Sequence, residues 1–321
     1  MQSNRSIISF ILILCIISIG LSLFQIIKKS PGNNQQVNTQ GLFNDIKESA
    51  ILIKIEGEIH SGKSTYSSTG ADTILAKLRD INSKENIKGV LIEINSPGGT
   101  VAASQEIYEE LMKLREKKKI VVSMKDLAAS GGYYIAAGAN HIFAESGTIT
   151  GSIGVIAMNP NISGLLERYN VKMNVYKQGK YKDILSMFRD PTEEELSLIQ
   201  NLLSDTYNKF VSDVSKGRNL SLKEVDKIAQ GRIFSGTAAV KNKLVDGIGG
   251  RAEALKKLSD LCEFNGILPL QEEEETPFDR FFEILNTKVN KIKIFGEPEN
   301  LVFEKIYKNP VLLILPNAVR F

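Results

Sequence analysis

From Ala50 onward, apolar and polar positions follow two alternating periods. Ala50–Ile59 (AILIKIEGEI) has the every-other-residue spacing of a strand, while Lys88–Ile94 (KGVLIEI) and Ile120–Met124 are short, near-continuous apolar runs of the kind that strands carry when both faces are covered. Ala71–Ile81 and Ala102–Arg115 have helical spacing, the second with Ile107, Leu111 and Leu114 on one face. Farther on, Tyr133–Ala137 continues as helix, His141–Ala144 as a short strand, a brief helix surrounds Leu165, and Val171–Lys177 alternates like a strand. Glu193–Val214 is a long amphipathic helix introduced by Thr192 and acidic residues in its first turn, and Leu222–Ala229 and Arg251–Leu261 are further helices. Gly231–Gly250 reads as a loop with a short helix, and Asn95-Ser-Pro-Gly-Gly99 as a strong turn signal. Strands alternating with helices predict a predominantly parallel α/β core.

The ends differ from this core. Ile7–Ile27 is an uncharged, largely apolar run of 21 residues, which as a helix spans ~31 Å at ~1.5 Å per residue, the thickness of a hydrocarbon core. It is longer than the ~7–15-residue apolar region of a cleaved signal peptide and predicts an uncleaved membrane anchor. Arg5 precedes it and Lys28 and Lys29 follow it, so flanking charge does not fix its orientation. The expected organisation is therefore a membrane anchor (1–29), a polar tether (30–49), a main domain (50–262) and a C-terminal extension (263–321). In the extension, Glu272–Glu275 is an acidic run that reads as a solvated linker, and Phe278–Ile284 an amphipathic helix. The apolar tail Pro310–Phe321 (PVLLILPNAVRF) is expected to pack on the domain or on a neighbouring subunit, with occupancy of a substrate groove as the third option.

Composition narrows the chemistry. A net charge of +3 without a dense basic stripe argues against nucleic acid as a partner, and the short run Lys117–Lys119 reads as a solvated helix end. The two cysteines, Cys15 and Cys262, give no disulfide framework because the first lies in the apolar segment. With His60 and His141 the only histidines, a histidine-based triad has few possible members, and no clustered ligands suggest a metal or other cofactor.

Against that background one stretch stands out: Ala128-Ala-Ser-Gly-Gly-Tyr-Tyr134, a serine among small residues where a strand meets a helix. Small neighbours permit close backbone approach, and the glycines permit a sharp turn with exposed amides. This is the composition of a nucleophilic serine beside an oxyanion site, though taken alone the stretch better suits Ser130 as the N-cap of a helix. A serine hydroxyl needs a base to take its proton. Neither His60 nor His141 has a motif around it, and a lysine serves if burial holds it neutral. Lys177, Lys180, Lys182 and Lys125 are the candidates, and spacing does not choose among them.

Five blocks in order carry a family resemblance: Asn95-Ser-Pro-Gly-Gly99, Ala128–Tyr134, Gly147-Thr-Ile-Thr-Gly-Ser-Ile-Gly154, Gly179-Lys-Tyr-Lys-Asp183 and Gly231-Arg-Ile-Phe-Ser-Gly236. Together they resemble the signal peptide peptidase A family of serine–lysine membrane proteases, from about Ile51 to Leu261. The resemblance implies a crotonase-like, Clp-protease-like core of repeated ββα units behind the membrane helix, ring-like homo-oligomers, and no cofactor. It implies Ser130 as nucleophile, Lys182 as general base, Gly99 and Gly131 as oxyanion-hole donors, and Ser152 as the hydroxyl that orients the lysine. It further implies cleavage of residual signal peptides and other unstructured peptides by a single-pass, extracytoplasmic enzyme of the cell membrane. Lys125 and Glu145-Ser146 depart from the usual pattern beside two of the blocks and bear on specificity. Two other readings use the same fold, a non-catalytic scaffold or regulator and an acyl-CoA enzyme of crotonase type; the serine–lysine set and the anchor disfavour both.

Overall fold

The computed structural model describes residues 48–272 together with the backbone of Val311–Ile314. The expected membrane span (7–27), the tether up to residue 47 and the amphipathic helix at 278–284 lie outside the described residues. Among those described, no helix is long and apolar enough to cross a membrane.

The core is a parallel sheet in the order β10-β1-β3-β4-β5-β9, formed by β1 (Ser49–His60), β3 (Ile87–Thr100), β4 (Lys119–Ala129), β5 (His141–Ala144), β9 (Gly247–Ile248) and β10 (Leu270–Gln271). Successive side chains of a strand point to opposite faces, and here both faces are covered. Ile53, Ile55, Val90, Ile92, Ile94, Ile120, Val122 and Met124 face the main core. That core also takes the apolar sides of α1 (Ala71–Ser83), α2 (Val101–Leu114) and α3 (Gly131–Ala136). Leu52, Leu91 and Val121 point the other way, onto Ala254 and Leu258 of α8 (Arg251–Leu261). Two-sided burial is why these strands read as continuous apolar runs and why the expected parallel α/β class holds.

Smaller strands extend one end of the sheet. β2 (Ser68–Gly70) joins β1, and β6 (Ile149–Gly151) runs parallel to the end of β4. β8 (Ile233–Ser235) lies antiparallel to β6, while β7 (Ile156–Ala157) pairs with β11 (Val311–Ile314). The remaining helices are α4 (Ser163–Arg168), α5 (Glu193–Arg218), α6 (Leu222–Ile228) and α7 (Gly236–Lys241). α5 begins as its sequence dictates: the Thr192 hydroxyl accepts from the Glu195 amide at 3.2 Å, and the Glu195 carboxylate accepts from the Thr192 amide at 2.9 Å.

Two expectations need correction. Asn95–Gly99 is not a turn. It continues β3 in extended form, because β1 runs on beside it and pairs Glu56 with Asn95, Glu58 with Gly98 and Ile59 with Gly99. The irregular residues are absorbed by a register shift in β1 and by Gly98, whose φ of 100° only glycine adopts without strain. Val171–Lys177 is not a strand either. Its alternation is present, but among the described residues no strand pairs with it, and Val171, Met173 and Val175 are exposed.

Candidate active site

β4 delivers Ser130 to the edge of the sheet, and the chain turns there into α3. Ser130 is buried and has φ 52° and ψ −116°, a backbone conformation that costs a non-glycine residue about 1–3 kcal/mol. Two hydrogen bonds hold it: its amide donates to Gly151 O at 2.8 Å, and its carbonyl accepts from the Tyr134 amide at 2.8 Å. The neighbouring strand behaves alike. Ala129 pairs with Gly151, so Ser130 and Ser152 leave adjacent parallel strands, which run ~4.8 Å apart. Ser152 also has positive φ, 51°, and its amide donates to Arg232 O at 2.7 Å.

The two glycines expected to form the oxyanion site are brought together. A methyl group built on Gly131 would lie 3.1 Å from the Gly99 amide nitrogen, 3.2 Å from Gly98 Cα and 2.4 Å from Ser104 Oγ. At Gly99 it would lie 1.8 Å from Ile59 O. Backbone leaves no room for a side chain at Gly99, a methyl group at Gly131 meets Ser104 first, and the end of β3 runs directly against the start of α3. Amides this close to a serine can stabilise a developing oxyanion, an effect of ~3–4 kcal/mol per donor where water is scarce.

The histidines are unsuited to the role of base. His60 stands next to Ile59, near Gly99, but both ring nitrogens are engaged: Nδ1 with Ser61 O at 2.6 Å and Nε2 with Ser68 Oγ at 2.9 Å. A carbonyl only accepts, so Nδ1 carries the proton and Nε2 receives the Ser68 hydroxyl. His141 pairs with Val121 at the opposite end of β4. Nine strand residues at ~3.3 Å each separate that level from Ser130, roughly 30 Å.

Of the four candidate lysines, three form ion pairs. Lys125 meets Glu93 at 2.9 Å, Lys177 pairs with Asp183, and Lys180 pairs with Glu194, the last contact holding the lysine above its ordinary pKa. Lys182 alone of the four has no ion-pair or hydrogen-bond partner for its side chain among the described residues. It lies in an exposed loop next to Asp183, whose carboxyl is held well below its usual range by hydrogen bonds from Arg189 and Lys177. Arg189 in turn grips Glu195 of α5 at 2.6 and 2.8 Å. The structure thus gathers Gly99, Ser130, Gly131 and Ser152, and leaves Lys182 in solvent on a separately anchored loop.

Two features were missed by reading the residues. β11, from the C-terminal tail, lies antiparallel to the end of β3, with Leu313 opposite Gly99, and also pairs with β7 at Ala157 and Ile156. The tail strand therefore packs on its own domain as expected, beside Gly98 and Gly99 at the end of β3. The second feature is the buried Asp213 on α5, which accepts a hydrogen bond from Tyr134 at 2.5 Å. Its signal was legible: a carboxylate sits on the apolar face of the helix with Phe210, Val214 and Gly217, where the helical period calls for an apolar residue.

A cleft of about 430 Å³ opens from Ser152 along α5, lined by Gly154, Ile156, Leu203, Tyr207 and Gln230 among others. No group of three or more His, Cys, Asp or Glu side chains among the described residues is placed to hold a metal ion.

Known proteins are similar to this chain in sequence. Residues 112–265 match peptidase family S49, and residues 47–145 match the Clp protease family. A putative protease of Synechocystis sp. is 46% identical over 202 residues, covering 63% of this chain and 70% of that protein. A putative signal peptide peptidase SppA of Enterococcus faecium is 46% identical over 193 residues, 58% of this chain and 56% of its own length. Protease 4 of Haemophilus influenzae is 36% identical over 218 residues, 68% of this chain but only 35% of that protein. The chain thus spans little more than half of the Enterococcus relative and about a third of the Haemophilus one.

Proposed function

The chain belongs to peptidase family S49, and on that premise we propose that it is a membrane-anchored serine endopeptidase with Ser130 as nucleophile and Lys182 as general base. The observation that carries the reading is the approach of Gly131 to the Gly99 amide beside a buried serine held in a strained turn. Neutral Lys182 accepts the Ser130 proton as Oγ attacks the peptide carbonyl carbon. The Gly99 and Gly131 amides stabilise the oxyanion, and the lysine ammonium then protonates the leaving amine. Water, deprotonated by the same lysine, hydrolyses the acyl-enzyme. Ser152, one strand from Ser130, orients the lysine by hydrogen bonding.

The Lys182 side chain is exposed on its own chain. Exposed apolar side chains (Leu165, Val171, Met173 and Val175, with Leu196 and Leu202 on α5) suit contact with a second copy of the chain. The proposed site is therefore shared: one protomer supplies Ser130, its neighbour Lys182, in a closed homo-oligomer.

The substrates proposed are residual signal peptides and other unstructured, apolar peptides. β11 supports binding as an added strand, since a strand already lies antiparallel between β3 and β7. A tethered strand competes at an effective concentration near millimolar. A chain ending before Val311 should accordingly hydrolyse a short apolar peptide with a KM lowered about tenfold. An unchanged KM contradicts the shared groove.

The apolar run at 7–27 is proposed to anchor the chain, with the domain from residue 50 to 262 outside the cytoplasm and the extension from 263 returning its tail to the groove. The experiment is hydrolysis of unstructured apolar peptides by the full chain recovered with membranes, beside its Ser130→Ala variant. Hydrolysis by the parent alone is expected. A chain recovered in the soluble fraction contradicts the anchor, and equal hydrolysis by both contradicts the nucleophile.

A further inference from the structure

We infer that Tyr134 and Asp213 are positioning residues for Ser130, with α5 as the fixed part against which the strained turn is held. The inference rests on Ser130 being the nucleophile. Tyr134 joins the two through its own backbone and side chain. Its amide donates to the Ser130 carbonyl at 2.8 Å, and its phenol donates to Asp213 Oδ2 at 2.5 Å. Asp213 is buried and fixed in turn: Lys209 Nζ donates to its two oxygens at 2.7 and 3.0 Å and reaches Glu109 of α2 at 3.4 Å.

The surrounding contacts leave this assembly little freedom. The Tyr134 ring stacks on Phe210 of α5 at 4.3 Å between centroids and tilts against Tyr108 of α2 at 5.2 Å. Tyr108 itself donates to the Asp213 carbonyl at 2.7 Å. One turn beyond Asp213 on α5, a methyl group added to Gly217 would fall 2.1 Å from Ala137 O, so α5 lies directly on the end of α3. α3 has only six residues, too few to hold a strained serine by its own hydrogen bonds. Burial and the neighbouring carboxylate both push the Tyr134 phenol up, which favours the protonated form that donates to Asp213. Small losses of alignment at a nucleophile are amplified in rate, because reaction requires a near-attack geometry.

Tyr134→Phe in the full chain tests this, since it removes one oxygen and keeps the ring on Phe210. Expected are a kcat lowered about tenfold to a hundredfold, a KM within about twofold of the parent, and faster amide exchange confined to the segment from Ala129 to Ala136. Val225→Ala serves as comparator: it trims a buried apolar side chain on α6, leaves Tyr134 and its partners intact, and is expected to lower the melting temperature with kcat retained well below the melt. Unchanged kcat and unchanged exchange in Tyr134→Phe overturn the inference. So does a parallel loss of kcat in both variants that tracks their melting temperatures, the mark of a merely structural role. If the parent chain itself hydrolyses no peptide, the nucleophile assignment fails instead, and the exchange result alone decides whether Tyr134 holds the turn.

Discussion

Ser130→Ala is expected to lower kcat for peptide hydrolysis by about 10⁴-fold or more, with the fold intact, and Lys182→Ala to do the same. Alanine fits the Ser130 site without new contacts, because only the hydroxyl is removed and both backbone hydrogen bonds remain. The strained φ of 52° persists, so stability stays near that of the parent. In the proposed mechanism the residue lost is the one that forms the covalent intermediate. What remains is the oxyanion glycines acting on an attacking water, which supplies only a residual rate. Because serine and lysine act in one step, the double variant is expected to be no slower than either single one. Rates measured on one apolar peptide at saturating concentration check both statements, with a thermal melt to show that the variants are folded.

Gly131→Ala is the second large effect, with kcat expected to fall about 10²–10³-fold. The added methyl group is confined on two sides: Ser104 Oγ at 2.4 Å and the Gly99 amide nitrogen at 3.1 Å. Ser104 is tied to Thr100 O at 3.0 Å, so it yields only by breaking that hydrogen bond. The alternative is for Gly131 to move away from Gly99, which spreads the two amides that must converge on one oxygen. Loss of a single such donor carries a penalty of this size. Ser104→Gly in the same chain removes the closest contact and should restore part of the rate. Parent-like kcat in Gly131→Ala, with a melting temperature unchanged, contradicts the oxyanion assignment.

Much of this architecture could be read from the residues. Runs such as KGVLIEI announce a strand covered on both faces, and the placement of Leu91 against α8 with Val90 and Ile92 against the main core is that prediction realised. The capping residues of α5 likewise announced its start. The failures lie where long-range pairing overrides local signal. Asn95–Gly99 has the composition of a turn, yet a neighbouring strand holds it extended, and that neighbour lies some forty residues earlier in the chain. Val171–Lys177 has the alternation of a strand but pairs with no strand among the described residues, and alternation cannot supply a partner.

The site divides in the same way. Ser130 and its glycines share a local motif, so they were legible together. Nothing local links Ser130 to a base, and residue spacing left four lysines open. Three of them are now accounted for by Glu93, Asp183 and Glu194. Their partnerships depend on tertiary placement, as does the hold of Asp213 on Tyr134. The strain at Ser130 and Ser152 was equally out of reach, because positive φ at a serine has no compositional signature.

The shared site is tested most directly by coexpressing the full-length Ser130→Ala and Lys182→Ala chains in equal amounts and assaying the mixed assembly. Each variant alone is inactive. If serine and lysine come from different copies, the mixture recovers about a quarter of the parent activity, the fraction of sites at which an intact serine meets an intact lysine by chance. A mixture no more active than its two components contradicts the account.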